Sequence, residues 1–265
     1  MDSTSLLWYG TIAVDAVLVA RLRQLGLVRR YPVLFLYGAF ELVREALLLY
    51  LRLSDARILG LRGYGLVYVV TEPVVWGLYF LLVLELYSRM VEEFPGLRRL
   101  GRLAMYSALA GVTAAVCLLM ALDRQAGYDE YPWLSYLALQ QRGVYLALSA
   151  IMLLLLLFVA HYRLSIRRNV WVLCGCFGGY FLSSAILVTL REHYGKVFVD
   201  PWRNVLPPLS YLVALLAGVL FVTKEGEQQS RPISVLWARP SAELEAALAL
   251  RLQGFNQVLV KVLRS

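Results

Sequence analysis

Seven apolar stretches follow one another along the first 223 positions: Leu6–Arg23, Pro32–Leu51, Tyr64–Tyr87, Leu103–Leu122, Trp133–Ala160, Val170–Leu190 and Val205–Thr223. A helix that crosses the hydrocarbon core of a bilayer needs about 20 mostly apolar residues, and each stretch approaches or exceeds that length. The pattern predicts an all-α fold, a polytopic membrane protein built as a seven-transmembrane helix bundle over residues 1–223. The first stretch is short enough for Arg21 and Arg23 to snorkel toward the interface. After Thr223 the pattern changes, and residues 224–265 read as a cytoplasmic tail.

Within the tail, an amphipathic helix is predicted over about 241–264, opened by Pro240 and Ser241 with Glu243 and Glu245 in its first turn. Leu248, Leu252, Phe255, Leu259 and Val262 recur every three or four residues and form an apolar seam, flanked by Arg251, Lys261 and Arg264. Such a helix lies on the inner membrane surface, packs beneath the bundle, or pairs with a partner helix or a second copy of the chain. The basic flank favours the membrane surface.

The apolar pattern also repeats weakly. Arg29-Arg30-Tyr31 ahead of the second stretch can be laid over Arg167-Arg168-Asn169 ahead of the sixth, and Pro73 in the third over Pro207-Pro208 in the seventh. This predicts a 3+1+3 layout of parallel repeats, an arrangement found in transporters with sites near the midplane.

Composition sharpens the picture. Hydrophobic residues make up 60% of the chain and mean hydropathy is +0.64, against roughly 45–50% apolar in soluble domains. Met1–Ala20 carries Asp2 ahead of its apolar run and Asp15 within it, so it reads as a membrane helix and not as a cleaved signal. The net charge of +8 is an arginine balance. Eleven basic residues fall in the connections after stretches 1, 3 and 5, and seven after stretches 2, 4 and 6. The positive-inside rule then puts the N-terminus outside and the tail in the cytoplasm, with a bacterial cytoplasmic (inner) membrane as the expected location. Basic and aromatic residues do not interleave on a soluble face, which argues against nucleic acid as a partner. Trp8, Tyr9, Tyr64, Tyr68, Tyr131, Trp133, Trp171 and Trp202 cluster near span ends as expected of interfacial belts. The acidic connection Asp123–Pro132 reads as a solvated loop, with a small lid as the alternative.

Ionisable side chains inside the spans carry the candidate chemistry. Asp15, Glu41, Arg44, Glu45, Glu72 and Arg142 all fall within the hydrocarbon depth, where charged groups rarely persist without a role. At a rise of about 1.5 Å per residue, Asp15, Arg44, Glu45, Glu72 and Arg142 fall in one slab between the midplane and the outer leaflet. Glu41, Arg44 and Glu45 share one face of the second helix, and Gln141 and Arg142 supply amide and guanidinium donors from the fifth. Arg142 is expected within salt-bridge reach of Asp15, Glu45 or Glu72. Four carboxyls against two guanidinium groups leave two excess negative charges if all are ionised, so protons or a cation must complete the balance. The alternative is a closed salt-bridge network that only fixes packing, although each central charge disfavours insertion by about 2.5–3.5 kcal/mol.

Two histidines, His161 and His193, stand near opposite ends of their spans, which excludes bis-histidine haem and histidine-rich zinc sites. Cys174 and Cys176 point to different faces of one helix and read as buried thiols. The seventh stretch has no lysine before Lys224, which excludes a mid-helix retinal Schiff base. No phosphate loop or nucleophile elbow is present, and neither an enzymatic activity nor a cofactor is implied. The pattern implies a sensor or receptor-like membrane protein with a buried site for a small polar or cationic solute or protons. A small-solute or proton-coupled transporter and an accessory subunit of a membrane complex are the alternatives.

Overall fold

The computed structural model describes residues 3–53, 60–92, 94–122, 132–162, 166–194, 205–228, 230–231 and 242–262. The Asp123–Pro132 connection lies outside the described residues except for Pro132. The described residues are helical almost throughout. Seven long helices, α1 (Ser3–Gln24), α2 (Pro32–Leu53), α3 (Gly60–Met90), α4 (Pro95–Leu122), α5 (Pro132–Tyr162), α6 (Arg168–Tyr194) and α7 (Leu206–Phe221), are followed by a short α8 (Lys224–Gln228) and by α9 (Ala242–Val262). Three described segments, Gly63–Met90, Gln140–His161 and Arg168–Leu187, are long and apolar enough to cross a membrane, and Leu206–Phe221 is a shorter apolar helix.

Helix starts follow the local sequence. Pro32, Pro95 and Pro132 each stand first in their helices and Pro207-Pro208 opens α7, positions where the missing backbone N–H has no intrahelical partner to lose. Gly26 turns the chain out of α1 with φ of 69°, a left-handed conformation open to glycine at little cost. Pro73 is the exception, lying inside α3. It cannot donate to the helix ladder, and the adjoining turn is further occupied by Thr71, whose hydroxyl donates to the Val67 carbonyl at 2.7 Å.

Packing closes the helices into a ring: α1 against α2, α2 against α3, α3 against α5, α5 against α6, α6 against α7, and α7 back against α1. Helix α4 packs outside this ring against α3 and α5. The distribution of polarity is inverted relative to a water-soluble bundle. Asp15, Glu41, Arg44 and Glu72 are buried, while Val43 on α2, Val70 on α3, Leu153 and Leu154 on α5 and Leu220 on α7 are exposed, the last five each by more than half. Apolar side chains exposed on so many helices would be an association liability in water, and lipid is the solvent that suits them.

Helix α9 lies against α4 and α5. Asn256 accepts the backbone N–H groups of Gly96 and Leu97 through its Oδ1, at 2.8 and 3.4 Å, and so caps the start of α4. Leu252 is buried and Leu259 packs on the core, whereas Leu250, Phe255, Val258 and Val262 are exposed. The approach depends on Gly96, where a Cβ atom would meet the Asn256 carbonyl at 2.7 Å and the Leu259 Cβ at 3.0 Å. Gly96→Val is expected to lift α9 from α4 and to raise amide hydrogen exchange in α9 by about tenfold or more, since overpacking costs typically 1–3 kcal/mol. Unchanged exchange would mean that this contact does not hold the helix.

Candidate functional site

The polar centre forms around Arg44, because α2 places Glu41 and Glu45 on the same face and α3 brings Glu72 across from it. Arg44 Nη1 lies 3.1 Å from Glu41 Oε2 and 3.8 Å from Glu45 Oε1, and Nη2 pairs with Glu72 Oε2. Its Nε donates to the Thr71 hydroxyl at 3.0 Å, and the guanidinium lies 5.4 Å from the Tyr68 ring centre. The planar fork of arginine suits such divided service, since each N–H has a fixed direction and a separate acceptor. Two indoles complete the carboxylates: Trp76 donates to Glu72 at 3.2 Å, and Trp8, at the start of the bundle, donates to Glu45.

Asp15 is fully buried on α1. Both its oxygens lie 3.3 Å from the hydroxyl of Tyr211 on α7, and that hydroxyl in turn accepts from Tyr37 of α2 at 2.8 Å. The Tyr211 ring packs on Tyr180 of α6, with centres 5.3 Å apart. The Tyr180 hydroxyl sits 3.1 Å from that of Tyr79 on α3 and 3.2 Å from that of Tyr145 on α5. Phe177 and Phe181 of α6 fill the spaces among these rings, with centre separations of 6.0 Å from Tyr37 and 5.1 Å from Tyr79 respectively. All six helices of the ring therefore meet in a layer of hydroxyls and aromatic faces, and Asp15 is its acidic terminus.

The sequence-derived set divides accordingly. Glu41, Arg44, Glu45 and Glu72 form one cluster, and Asp15 enters through tyrosine. Gln141 and Arg142 are half-buried on α5, where the Gln141 side chain shares a hydrogen bond with the Tyr145 hydroxyl. The guanidinium that gathers the carboxylates of α2 and α3 is Arg44. Trp8 and Tyr68, which the sequence assigns to interfacial belts, contact the charged centre, where an indole N–H and a ring face both stabilise charge. The tyrosine layer is the part that sequence reasoning missed. Its signal was available: Tyr37, Tyr79, Tyr145, Tyr180 and Tyr211 stand well inside their apolar stretches, where a phenol needs a partner for its hydroxyl.

At the end of the bundle that carries the α1–α2, α3–α4 and α5–α6 connections, a second ionic group ties four segments together. Arg30, before α2, reaches Glu92, after α3, at 2.5 Å and Glu227, on α8, at 2.7 Å. Arg167, before α6, reaches Glu227 at 2.6 Å and Glu92 at 3.3 Å. Tyr31 donates to Glu227 at 2.6 Å, and Asn169 donates to the same carboxylate at 3.4 Å and to the Thr223 carbonyl at 2.7 Å. Ile166-Arg167 and Ser230-Arg231 pair as two short antiparallel strands beside this clasp. Hydrogen bonding from Arg30 holds the Glu92 carboxyl below its usual range. Its contribution to stability is consequently present above its ordinary value of about 4.5 and fades as the pH falls through the lower folded value. The clasp is expected to outlast ordinary surface carboxylate pairs during acid titration, as read by thermal melting at successive pH values. A loss of stability already complete at pH of about 5 would contradict this.

No protein-family model matches this chain, and no curated protein and no solved structure matches it.

Proposed function

We propose that this chain is a receptor-like integral membrane protein of seven spans, with its N-terminus outside, whose buried acidic centre takes up protons or a small cation. One observation carries the reading. Glu41, Glu45 and Glu72 share the guanidinium of Arg44, and Asp15 meets the neutral hydroxyl of Tyr211. Four carboxyls set against the guanidinium groups of Arg44 and Arg142 leave an excess of negative charge, and they cannot all stay ionised in a medium of low dielectric without a further positive charge. The aromatic layer packs the space beside the cluster closely, which favours a proton or a bare ion over a bulky solute. The inverted distribution of exposed and buried side chains supports the membrane setting, and the basic connections support the orientation.

The clasp is the surface through which the centre would act. Helices α1, α2 and α3 link Asp15, Arg44 and Glu72 directly to the segments bearing Arg30 and Glu92. A change of charge in the centre that shifts α2 against α3 would be felt at Arg30 and Glu92, since these pack as rigid helices.

A second reading, transport, has its own supporting observation. The clasp has an internal two-fold pattern: each arginine contacts the carboxylate after the third helix of its own half and that of the other half. Glu92 follows Pro73 by nineteen residues and Glu227 follows Pro208 by nineteen, and the adjacent pairs Arg29-Arg30 and Arg167-Arg168 supply the arginines, the second of the first pair and the first of the second. This pattern favours the 3+1+3 parallel repeat, and transporters built that way rock one half against the other. Flux into proteoliposomes separates the readings. A receptor should give no proton, sodium or potassium flux above protein-free vesicles under an imposed gradient. Sustained flux that Glu72→Gln abolishes would replace the receptor reading with transport.

A further inference from the structure

A separate cavity of about 270 Å³ opens between α2, α3 and α4 near the clasp end. Its polar lining is Glu85, Ser88 and Arg89 from α3 and Arg98 and Arg102 from α4, and its apolar wall includes Val33, Leu81 and Tyr106. None of the polar-centre residues takes part in it.

Its lining carries three guanidinium groups against the one carboxylate of Glu85, and of the three Arg89 also pairs with Glu92 outside the cavity at 3.8 Å, which leaves Arg98 and Arg102 as the excess positive charge. Both oxygens of Glu85 are turned to the first backbone N–H groups of α2, those of Val33 at 3.4 Å and Leu34 at 3.1 Å, so this carboxylate serves a helix start. Arg89 donates to the Arg30 carbonyl at 2.6 Å and Arg98 to the Glu92 carbonyl at 2.7 Å, contacts that fix both guanidinium groups at the cavity without neutralising them through those bonds. The Nε of Arg98 is buried with no hydrogen-bond partner. A buried N–H left unpaired costs about 1–3 kcal/mol, and more on a charged group, which makes it a donor in search of an acceptor. Arg102 is exposed at the rim, and Leu81 and Tyr106 beside it are exposed apolar surface.

We infer that this cavity binds the phosphate of an anionic phospholipid, with Arg98 and Arg102 on the phosphate oxygens and the glycerol and first acyl carbons against Leu81 and Tyr106. Guanidinium groups match phosphate oxygens with paired donors. Basic pockets between membrane helices on the side richer in arginine are where acidic headgroups fit. A lipid source is favoured over free phosphate because the cavity's wall is apolar and its rim continues onto lipid-exposed side chains of α3 and α4.

Thermal melting of the delipidated full-length protein in a non-ionic detergent tests this, with phosphatidylglycerol, phosphatidylcholine and inorganic phosphate as separate additions. Phosphatidylglycerol should raise the midpoint saturably, phosphatidylcholine should not, and phosphate alone should act only at far higher concentration. Arg102→Ala, at an exposed position that leaves the fold intact, should weaken the apparent affinity for phosphatidylglycerol by about tenfold. Arg98→Lys, which keeps the charge and loses the fork, should weaken it as well. An equal shift from phosphatidylcholine, an affinity unaltered in both variants, or a full shift from inorganic phosphate at the lipid's concentration would each overturn the assignment.

Discussion

Arg44→Ala is expected to be the most damaging single change in the bundle, lowering stability by about 3–5 kcal/mol, the range seen when one member of a buried ion pair is removed. The substitution strands the buried Glu41 and Glu72 and the partly buried Glu45 together, and it also removes a contact of Thr71 and of Tyr68. The effect should be non-additive. Adding Glu41→Gln and Glu72→Gln to Arg44→Ala removes the stranded charge and should recover part of the loss, because residues in one network do not contribute independently. Melting of the single and combined variants in detergent gives the comparison. If the combined variant is no more stable than Arg44→Ala alone, the damage comes from lost packing around the guanidinium and not from electrostatics.

Glu227→Gln is expected to have the next largest effect, about 1–3 kcal/mol. Its carboxylate is bonded by Arg30, Arg167, Tyr31 and Asn169, and its side chain is only 16% exposed. Hydrogen bonds to a charged group contribute roughly 1.5–3 kcal/mol each, less for pairs near water. Glu92→Gln should cost less, because Glu92 is 36% exposed and takes no bond from Tyr31. Equal melting midpoints for the two variants would mean that the two halves of the clasp carry the same load, contrary to this ordering.

The helical class was legible in the apolar pattern, and three of the described segments are long and apolar enough to cross a membrane. Helices α2 and α5 begin at or one residue from the starts expected from the sequence, whereas α4 begins at Pro95, eight residues ahead of the expected Leu103, because the polar turn Arg98-Arg99 is helical although it is not apolar; proline marks all three starts. The Glu41, Arg44 and Glu45 face was legible for the same kind of reason, since spacings of three and four place side chains together on any helix. What no spacing could supply was the choice of partner across helices. Asp15 is paired with Tyr211, 196 positions away, and tyrosine is common both at membrane interfaces and in cores, so its identity alone does not distinguish the two roles. The clasp was hidden differently. Its arginines and glutamates look like ordinary loop charges one at a time, and nothing in their local spacing shows that Arg30 and Arg167 meet Glu92 and Glu227.

The central claim is that the acidic centre takes up a positive charge, and the indoles bonded to Glu45 and Glu72 are built-in reporters of it. The most direct measurement is the tryptophan fluorescence of the full-length protein during titration with protons, sodium and potassium, with Trp8→Phe and Trp76→Phe to assign the signal. A saturable change carried by Trp8 or Trp76 in the wild type, and absent when Asp15→Asn, Glu41→Gln and Glu72→Gln are combined, is the predicted result. A flat response to all three titrants, or a response that the combined variant reproduces in full, would contradict the account and leave the buried charges as a device for packing the helices.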